Sequence, residues 1–222
     1  MIGWLAALRS VIEHENVFKP CQTYWDSDKM SAPFVDPLTI MLVAVAASTS
    51  LIALYLIEAA KGSKSLSNIA VPGMVIGFFD FASGFLMSFA WPFPGALSAY
   101  NMLFGDPMLF LGIIMIAGSY MLYRNMKPNI VSIFGFFLGI YLFVETYAIY
   151  ALGLERGVDL YTALGLYFFS ALAALLSPLV YINTKKNGYG AYYFLAALLI
   201  IATFFAMLIG GVGIYGHLVS PP

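Results

Sequence analysis

Charged residues are scarce in this sequence. Only 9% of its 222 residues are Asp, Glu, Lys or Arg, whereas 62% are hydrophobic. A soluble domain carries charge on about a quarter of its residues, so this chain has too few charges to cover a water-facing surface. The mean hydropathy of +0.89 agrees with that conclusion. We therefore expect an integral membrane protein whose natural solvent is the bilayer.

Other scarcities exclude whole classes of chemistry. Cys21 is the single cysteine, which excludes an internal disulfide and a metal cage of several cysteines. His14 and His217 lie near opposite ends of the chain, so they do not offer paired axial haem ligands. The sequence contains no phosphate-binding glycine loop, no His-Glu-x-x-His and no Gly-x-Ser-x-Gly. We expect no catalytic residue, no metal and no cofactor, and a net charge of −1 gives no field that would recruit nucleic acid.

Long apolar runs are what the sequence has instead. A helix needs roughly 20 apolar residues to cross a bilayer, and five of the six runs reach that length. The shorter third run can be capped at its start by Asp106 and Pro107 and extended at its end by Arg124. The predicted fold is an all-α bundle of six transmembrane helices within a domain of residues 34–222. The six runs are Leu38–Ala60, Ile69–Trp91, Met108–Tyr123, Ile130–Gly153, Tyr161–Asn183 and Ala191–Leu218.

The first 33 residues have a different character and form a separate predicted unit, 1–33. Leu5, Leu8, Val11 and Ile12 recur at helical spacing opposite polar side chains, which indicates an amphipathic helix lying in the membrane interface. A polar loop follows it. No positive charge precedes the short apolar start of the chain, so a secretory signal is not predicted.

The basic residues predict an orientation. Six of the ten Lys and Arg residues lie in three alternate loops, as Lys61 and Lys64, Arg124 and Lys127, and Lys185 and Lys186. The intervening loops hold Asp106, Glu155, Arg156 and Asp159. Because cytoplasmic loops carry the excess of Lys and Arg, we expect the Lys61, Arg124 and Lys185 loops in the cytoplasm. Both termini would then lie outside a multi-pass protein of the cell (plasma) membrane.

Three similar segments open the odd-numbered helices. Phe34–Pro37, Phe104–Pro107 and Gly157–Leu160 each contain an aspartate, and Asp36, Asp106 and Asp159 are the predicted helix caps. One interpretation is a set of three parallel helical hairpins, an arrangement found in transporters. The other, which we favour, is that each helix start acquired its own cap.

Asp80 is the first of two acids predicted to lie within the membrane. It sits about 16 Å along the second helix, counted from Ile69, and an ionisable group at that depth usually faces the bundle interior. Ser83 and Ser88 extend a polar stripe on the same helix. Asp80 can therefore be an ion- or proton-binding carboxylate, or a hydrogen-bonded acid that locks helices together.

Glu145 is the second such acid. It lies about 22 Å from the start of the fourth helix, about one turn above Asp80, and Tyr141 shares its face. No Lys, Arg or His lies at this depth in the apolar runs. Either both acids are neutral and hydrogen-bonded or a partner subunit supplies a cation. They could be steps of a proton path if the second and fourth helices touch.

The stretch from Phe34–Pro37 through Trp91 and Pro92 to Tyr100–Pro107 resembles a family of uncharacterised, mainly archaeal, polytopic membrane proteins. The run Tyr-Asn-x-x-Phe-Gly-Asp-Pro is its most specific element, and the similarity covers roughly residues 34–185. The resemblance implies a membrane architecture in a prokaryotic cell. It implies no activity.

Three functions are consistent with these features. The first is a non-catalytic subunit of a larger membrane complex, for example in respiration. The second is a small proton- or ion-coupled transporter or channel that uses Asp80 and Glu145. The third is an intramembrane enzyme acting on a lipid or a quinone. The expected partners are the lipid bilayer and either other membrane subunits or further copies of this chain.

Overall fold

The computed structural model describes residues 37–63, 66–182 and 189–219. Regular structure in these ranges is entirely helical, and each of the six long helices is long and apolar enough to cross a membrane. The predicted set of six long apolar helices is therefore confirmed. The predicted amphipathic helix, the cap Asp36 and Lys185 lie outside the described residues. The long helices are α1 Leu38–Ala60, α2 Ala70–Ala90, α3 Ser98–Tyr123, α4 Ser132–Leu152, α5 Gly157–Leu175 and α6 Tyr189–Val219.

Short helical turns connect several of the long helices. They are Leu66–Ile69, Gly95–Leu97, Pro128–Val131 and the four-residue helix Leu179–Ile182. The ends of two long helices, α4 and α2, have a clear local cause. Gly153 ends α4 at a φ of 60°, which suits a residue without a Cβ. Trp91 ends α2 in the left-handed region and Pro92 follows it, a residue that cannot continue a helix.

The helices pack in a closed ring in which α6 returns to α1. The most extensive contact joins α2 to α3, followed by α1 with α6, α4 with α5 and α5 with α6. The contacts of α1 with α2 and of α3 with α4 are much smaller. Consecutive pairs therefore do not form three equivalent hairpins, and α2 and α4 are not among the extensively packed pairs of the described bundle.

Glycines allow α2 and α3 to approach closely. A Cβ at Gly84 would overlap the backbone of Leu109, and one at Gly112 would overlap the backbone of Phe81. Small residues at helix contacts permit such backbone approach, which drives association when the surroundings are as apolar as the side chains. Gly118, by contrast, has open space around its Cβ position.

The start of α3 differs from the prediction. The sequence placed it near Met108, but the helix begins at Ser98 and carries Pro107 inside it. A proline lacks the N–H that would bond the carbonyl four residues earlier, here that of Leu103. The Tyr167 hydroxyl of α5 donates a hydrogen bond of 2.6 Å to that carbonyl. The proline is therefore tolerated because a neighbouring helix satisfies the freed acceptor.

Two predicted caps change accordingly. Asp106 lies in the interior of α3 and does not cap its start. Asp159 lies in the first turn of α5, where a negative charge is favourable, but the residue at the cap position is Arg156 and no side chain caps that helix. The similarity among the three aspartate segments thus does not correspond to three equivalent helix starts.

Two ends of the bundle are named by their charge. The basic end carries Lys61, Arg124 and Lys127, which follow α1 and α3. The acidic end carries Glu155, which lies between α4 and α5, and Asp159, which lies in the first turn of α5.

Candidate functional site

Asp80 is fully buried between α2 and α1. The Ser48 hydroxyl of α1 donates a hydrogen bond to its Oδ2, and Ser48 is itself fully buried. Its Oδ1 has no hydrogen-bond partner in the described part of the chain. Asp80 therefore joins two helices whose packing contact is otherwise small, which is the geometry of a helix-locking acid.

The serines predicted to accompany Asp80 do not bond it. Ser83 is half-buried, and the hydroxyl of Ser88 is buried without a partner among the described residues. Ser88 lies instead at the close α2–α3 contact, beside Gly105. The partner that the sequence did not indicate, Ser48, comes from α1, because helix register and rotation decide which hydroxyl meets the acid.

Glu145 belongs to a different group, between α4 and α3. Its side chain is 7% exposed, and neither carboxyl oxygen has a hydrogen-bond partner within the described ranges. It interacts electrostatically with Asp106 of α3. Tyr141, one turn earlier on α4, donates a hydrogen bond of 2.7 Å to Asp106 Oδ2. The structure thus brings together Asp106, Tyr141 and Glu145, and it leaves Asp80 apart from them.

Tyrosines continue this group toward the acidic end. The Tyr100 hydroxyl, in the first turn of α3, donates to Glu155 Oε1 at 2.6 Å. Tyr167 interacts electrostatically with both Glu145 and Glu155. A series of carboxyl and phenol groups therefore leads from the exposed α4–α5 connection to the buried Glu145.

The segment after α2 is held by Asn101. Its side-chain amide donates to the Phe93 carbonyl at 2.7 Å, and its Oδ1 accepts from the Phe93 N–H at 3.0 Å. Phe93 and Asn101 are both buried, and Phe93 packs with Met41, Met87 and Met108. Trp91–Pro94 is consequently a folded cover over the α1–α2–α3 junction.

A cavity of about 250 Å³ occupies the centre of the ring. Nearly all of its wall is apolar, contributed mainly by α1, α3, α4, α5 and α6. Tyr167 and Phe104 lie at the end of the cavity nearer the acidic end, next to the Glu145 group. Their rings pack edge to face with centroids 6.3 Å apart. Asp80 and Glu145 do not line it. Apolar residues of its wall include Leu42, Leu103, Leu111, Leu138, Leu166 and Leu195.

Most polar side chains of the cavity wall lie toward the basic end. Five of the eight do so, namely Tyr55, Ser119, Asn129, Ser132 and Ser177, and the other three are Thr49, Tyr167 and Ser170. Pro128, another wall residue, directly follows Lys127, and Leu122 precedes Arg124 by two positions. The cavity thus has an apolar body and a polar end beside basic residues.

No group of three or more His, Cys, Asp or Glu side chains that could hold a metal ion occurs in the ranges that the structure describes. The central cavity was missed by sequence reasoning, since no residue pattern signals a void. Tyr167 had one available signal, because a proline inside a helix requires another donor for the freed carbonyl. Recognising it would have required placing Pro107 inside α3.

Comparison with known proteins gives one relationship. Residues 30–220 match the model of a protein family of unknown function, DUF981. No curated protein and no solved structure matches the chain. The match spans the six-helix domain, including the run Tyr100–Pro107 from which the resemblance was inferred. Because it covers most of the sequence, the chain belongs to the DUF981 family.

Proposed function

We propose that this chain is a non-catalytic integral membrane protein that holds one lipid-like amphiphile in its central cavity. The observation that carries the proposal is the cavity itself, about 250 Å³ with an apolar wall. A dry apolar cavity of roughly 150 Å³ already binds benzene. An apolar occupant would gain dispersion contacts with this wall.

The distribution of polar groups supports an amphiphile rather than a plain hydrocarbon. An apolar chain would lie against the leucines of the cavity body. A polar head would meet the hydroxyl and amide groups of Ser119, Asn129 and Ser132. The exposed side chains of Arg124 and Lys127 at this end favour an anionic head, such as a phosphate.

Filling the cavity tests this proposal. The variant Gly118→Phe places a ring in the cavity, where a Cβ has open space. We expect the purified protein to lose most of the amphiphile that co-purifies with the wild type, at least tenfold by mass spectrometry of its lipid extract. The bound molecule should be present in about one copy per wild-type chain.

Gly211→Phe is the matched control. Gly211 also lies in a long helix with open space at its Cβ, but it is exposed and does not line the cavity. It should retain the amphiphile. Equal lipid content in the two variants would contradict the proposal, as would a wild-type extract without a stoichiometric amphiphile.

We also propose that the six helices cross a cell membrane with the basic end in the cytoplasm, as the family resemblance and the Lys and Arg distribution suggest. The resemblance further suggests an archaeal source. In a Cys21→Ser background, Arg156→Cys should react with a membrane-impermeant maleimide on intact cells. Lys127→Cys should react only after the membrane is opened. The reverse pattern would overturn the orientation.

Membership of a larger complex is a second proposal, and the outward face of α2 favours it. Large apolar side chains, among them Phe78, Phe85 and Phe89, are exposed along this helix, and α2 has only one extensive neighbour in the described bundle. Such a face can pack against another membrane subunit as well as against lipid. Purification from native membranes in mild detergent should then yield stoichiometric partner chains, and a particle of this chain alone would argue against it.

The transporter and enzyme hypotheses receive less support. Asp80 has no exposed surface and does not border the cavity, so it lacks the route to water that an ion-carrying carboxylate requires. The cavity wall contains no Asp, Glu, Lys, His or Cys among the described residues. Among the described wall residues, the ionisable side chains are the phenols of Tyr55 and Tyr167, whereas the most frequent general acid and base is histidine.

A further inference from the structure

We propose that Asp106 and Glu145 form a binding site for a monovalent hard cation, with sodium as its ligand. The site lies between α3 and α4, about 10 Å from the acidic end when counted along α4 from Glu145 to Leu152. It is separate from the central cavity, so this inference does not rest on amphiphile binding.

Glu145 is buried without a hydrogen-bond partner among the described residues. Its side chain is more than nine-tenths buried, and both carboxyl oxygens lack a hydrogen-bond partner in the described chain. A buried carboxyl group without a partner is strongly unfavourable. Tyr141 shares its helix face but donates to Asp106 instead. Glu145 therefore has two buried acceptor oxygens without a partner and interacts with a second acid, Asp106. A cation bound by the two side chains would satisfy both.

The chemistry of the surrounding groups selects the kind of cation. Carboxylate, hydroxyl and carbonyl oxygens are ligands for hard cations. Here Asp106 and Glu145 supply carboxyl oxygens, and the Tyr141 and Tyr167 hydroxyls lie nearby. Asp106 and Glu145 are close enough to interact electrostatically. Two neighbouring carboxyl groups in a buried site do not both ionise readily, so the pair carries about one negative charge, which one monovalent ion balances.

The charge of the acidic end supports access from that side. The described residues toward that end include four acids, Asp106, Glu145, Glu155 and Asp159, and two basic residues, Arg156 and His217. A concentration of like charge attracts counter-ions and focuses them into a low-dielectric site. The Tyr100–Glu155 contact places a carboxylate between the surface and the buried pair. An entering cation would pass from one acid to the next.

Thermal unfolding of the full-length protein in detergent tests the site. NaCl is varied against choline chloride at constant ionic strength. We expect Tm to rise saturably, by about 4 °C when sodium is tenfold above its dissociation constant. The Glu145→Gln and Asp106→Asn variants should each lose this response. Glu155→Gln, which alters only the approach, should keep it with weaker apparent affinity.

Infrared difference spectra of the wild type provide a second readout that needs no variant. Adding sodium, but not choline, should perturb its carboxylate bands. A wild-type Tm independent of sodium, or an unchanged sodium response in Glu145→Gln, would overturn the proposal. A response to calcium and not to sodium would overturn the choice of a monovalent ion.

Discussion

Replacing Gly84 with alanine should lower the free energy of unfolding by about 2–3 kcal/mol, although the change adds a single methyl group. The reason is the α2–α3 contact, where a Cβ at this position meets the backbone of Leu109 and the carbonyl of Gly105. Backbone atoms cannot rotate away as a side chain can, so the two helices must separate. Gly112→Ala, on the other helix of the pair, should cost a similar amount because its Cβ meets Phe81.

Gly211→Ala is the control for Gly84→Ala, and we do not expect it to lower the free energy of unfolding. It is the same substitution within a long helix, but its Cβ has open space. Alanine has the higher helix propensity, by up to about 1 kcal/mol, so this variant should be neutral or slightly more stable. Reversible unfolding in detergent, followed by circular dichroism, measures all three. Equal stability of Gly84→Ala and Gly211→Ala would show that α2 and α3 are farther apart than the structure places them.

Asp80→Ala should have the second large effect, a loss of about 2 kcal/mol of stability. It removes the acceptor of the buried Ser48 hydroxyl and leaves a void in a fully buried position. Asp80→Asn should cost less than about 1 kcal/mol, because its side-chain carbonyl can still accept from Ser48. The difference between the two variants separates the hydrogen bond from the charge.

The Ser48→Ala variant completes this test. In the helix-locking interpretation, Asp80→Ala should cost less in the Ser48→Ala background than in the wild type, since the interaction is already absent. A double-mutant cycle of unfolding free energies measures that coupling, which for hydrogen bonds within membranes averages about 0.6 kcal/mol. If Asp80→Asn were as damaging as Asp80→Ala, a negative charge at this position would be required and the locking interpretation would fail.

The run Tyr100–Pro107 shows how a short motif acquires meaning from its neighbours. Read as sequence, it suggested a loop followed by an aspartate cap. In the structure it is the first part of α3, and its side chains reach three other parts of the chain: Tyr100 bonds Glu155, Asn101 holds Phe93 and Asp106 accepts from Tyr141. None of these partners lies near it in the sequence except Phe93. Local propensity favoured a helix start at Pro107, and tertiary contacts overrode it.

The amino-acid sequence was sufficient for the number and extent of most of the long helices. Apolar run length and charge scarcity reflect one strong physical requirement, the transfer of apolar surface out of water. The position of Asp80 along α2 followed from the same count, since each helical residue advances about 1.5 Å. These properties depend on one helix at a time. For that reason they can be read along the chain.

Properties that involve two helices came only from the folded molecule. The ring order places α3 rather than α2 beside α4, which separates Asp80 from Glu145 and pairs Glu145 with Asp106. The length of α3 depends on a Tyr167 hydroxyl that replaces the hydrogen bond missing at Pro107. The central cavity is a space that six helices leave between them. Rotation and register of packed helices decide all three, because small differences in side-chain fit select among arrangements that have the same hydrophobic pattern.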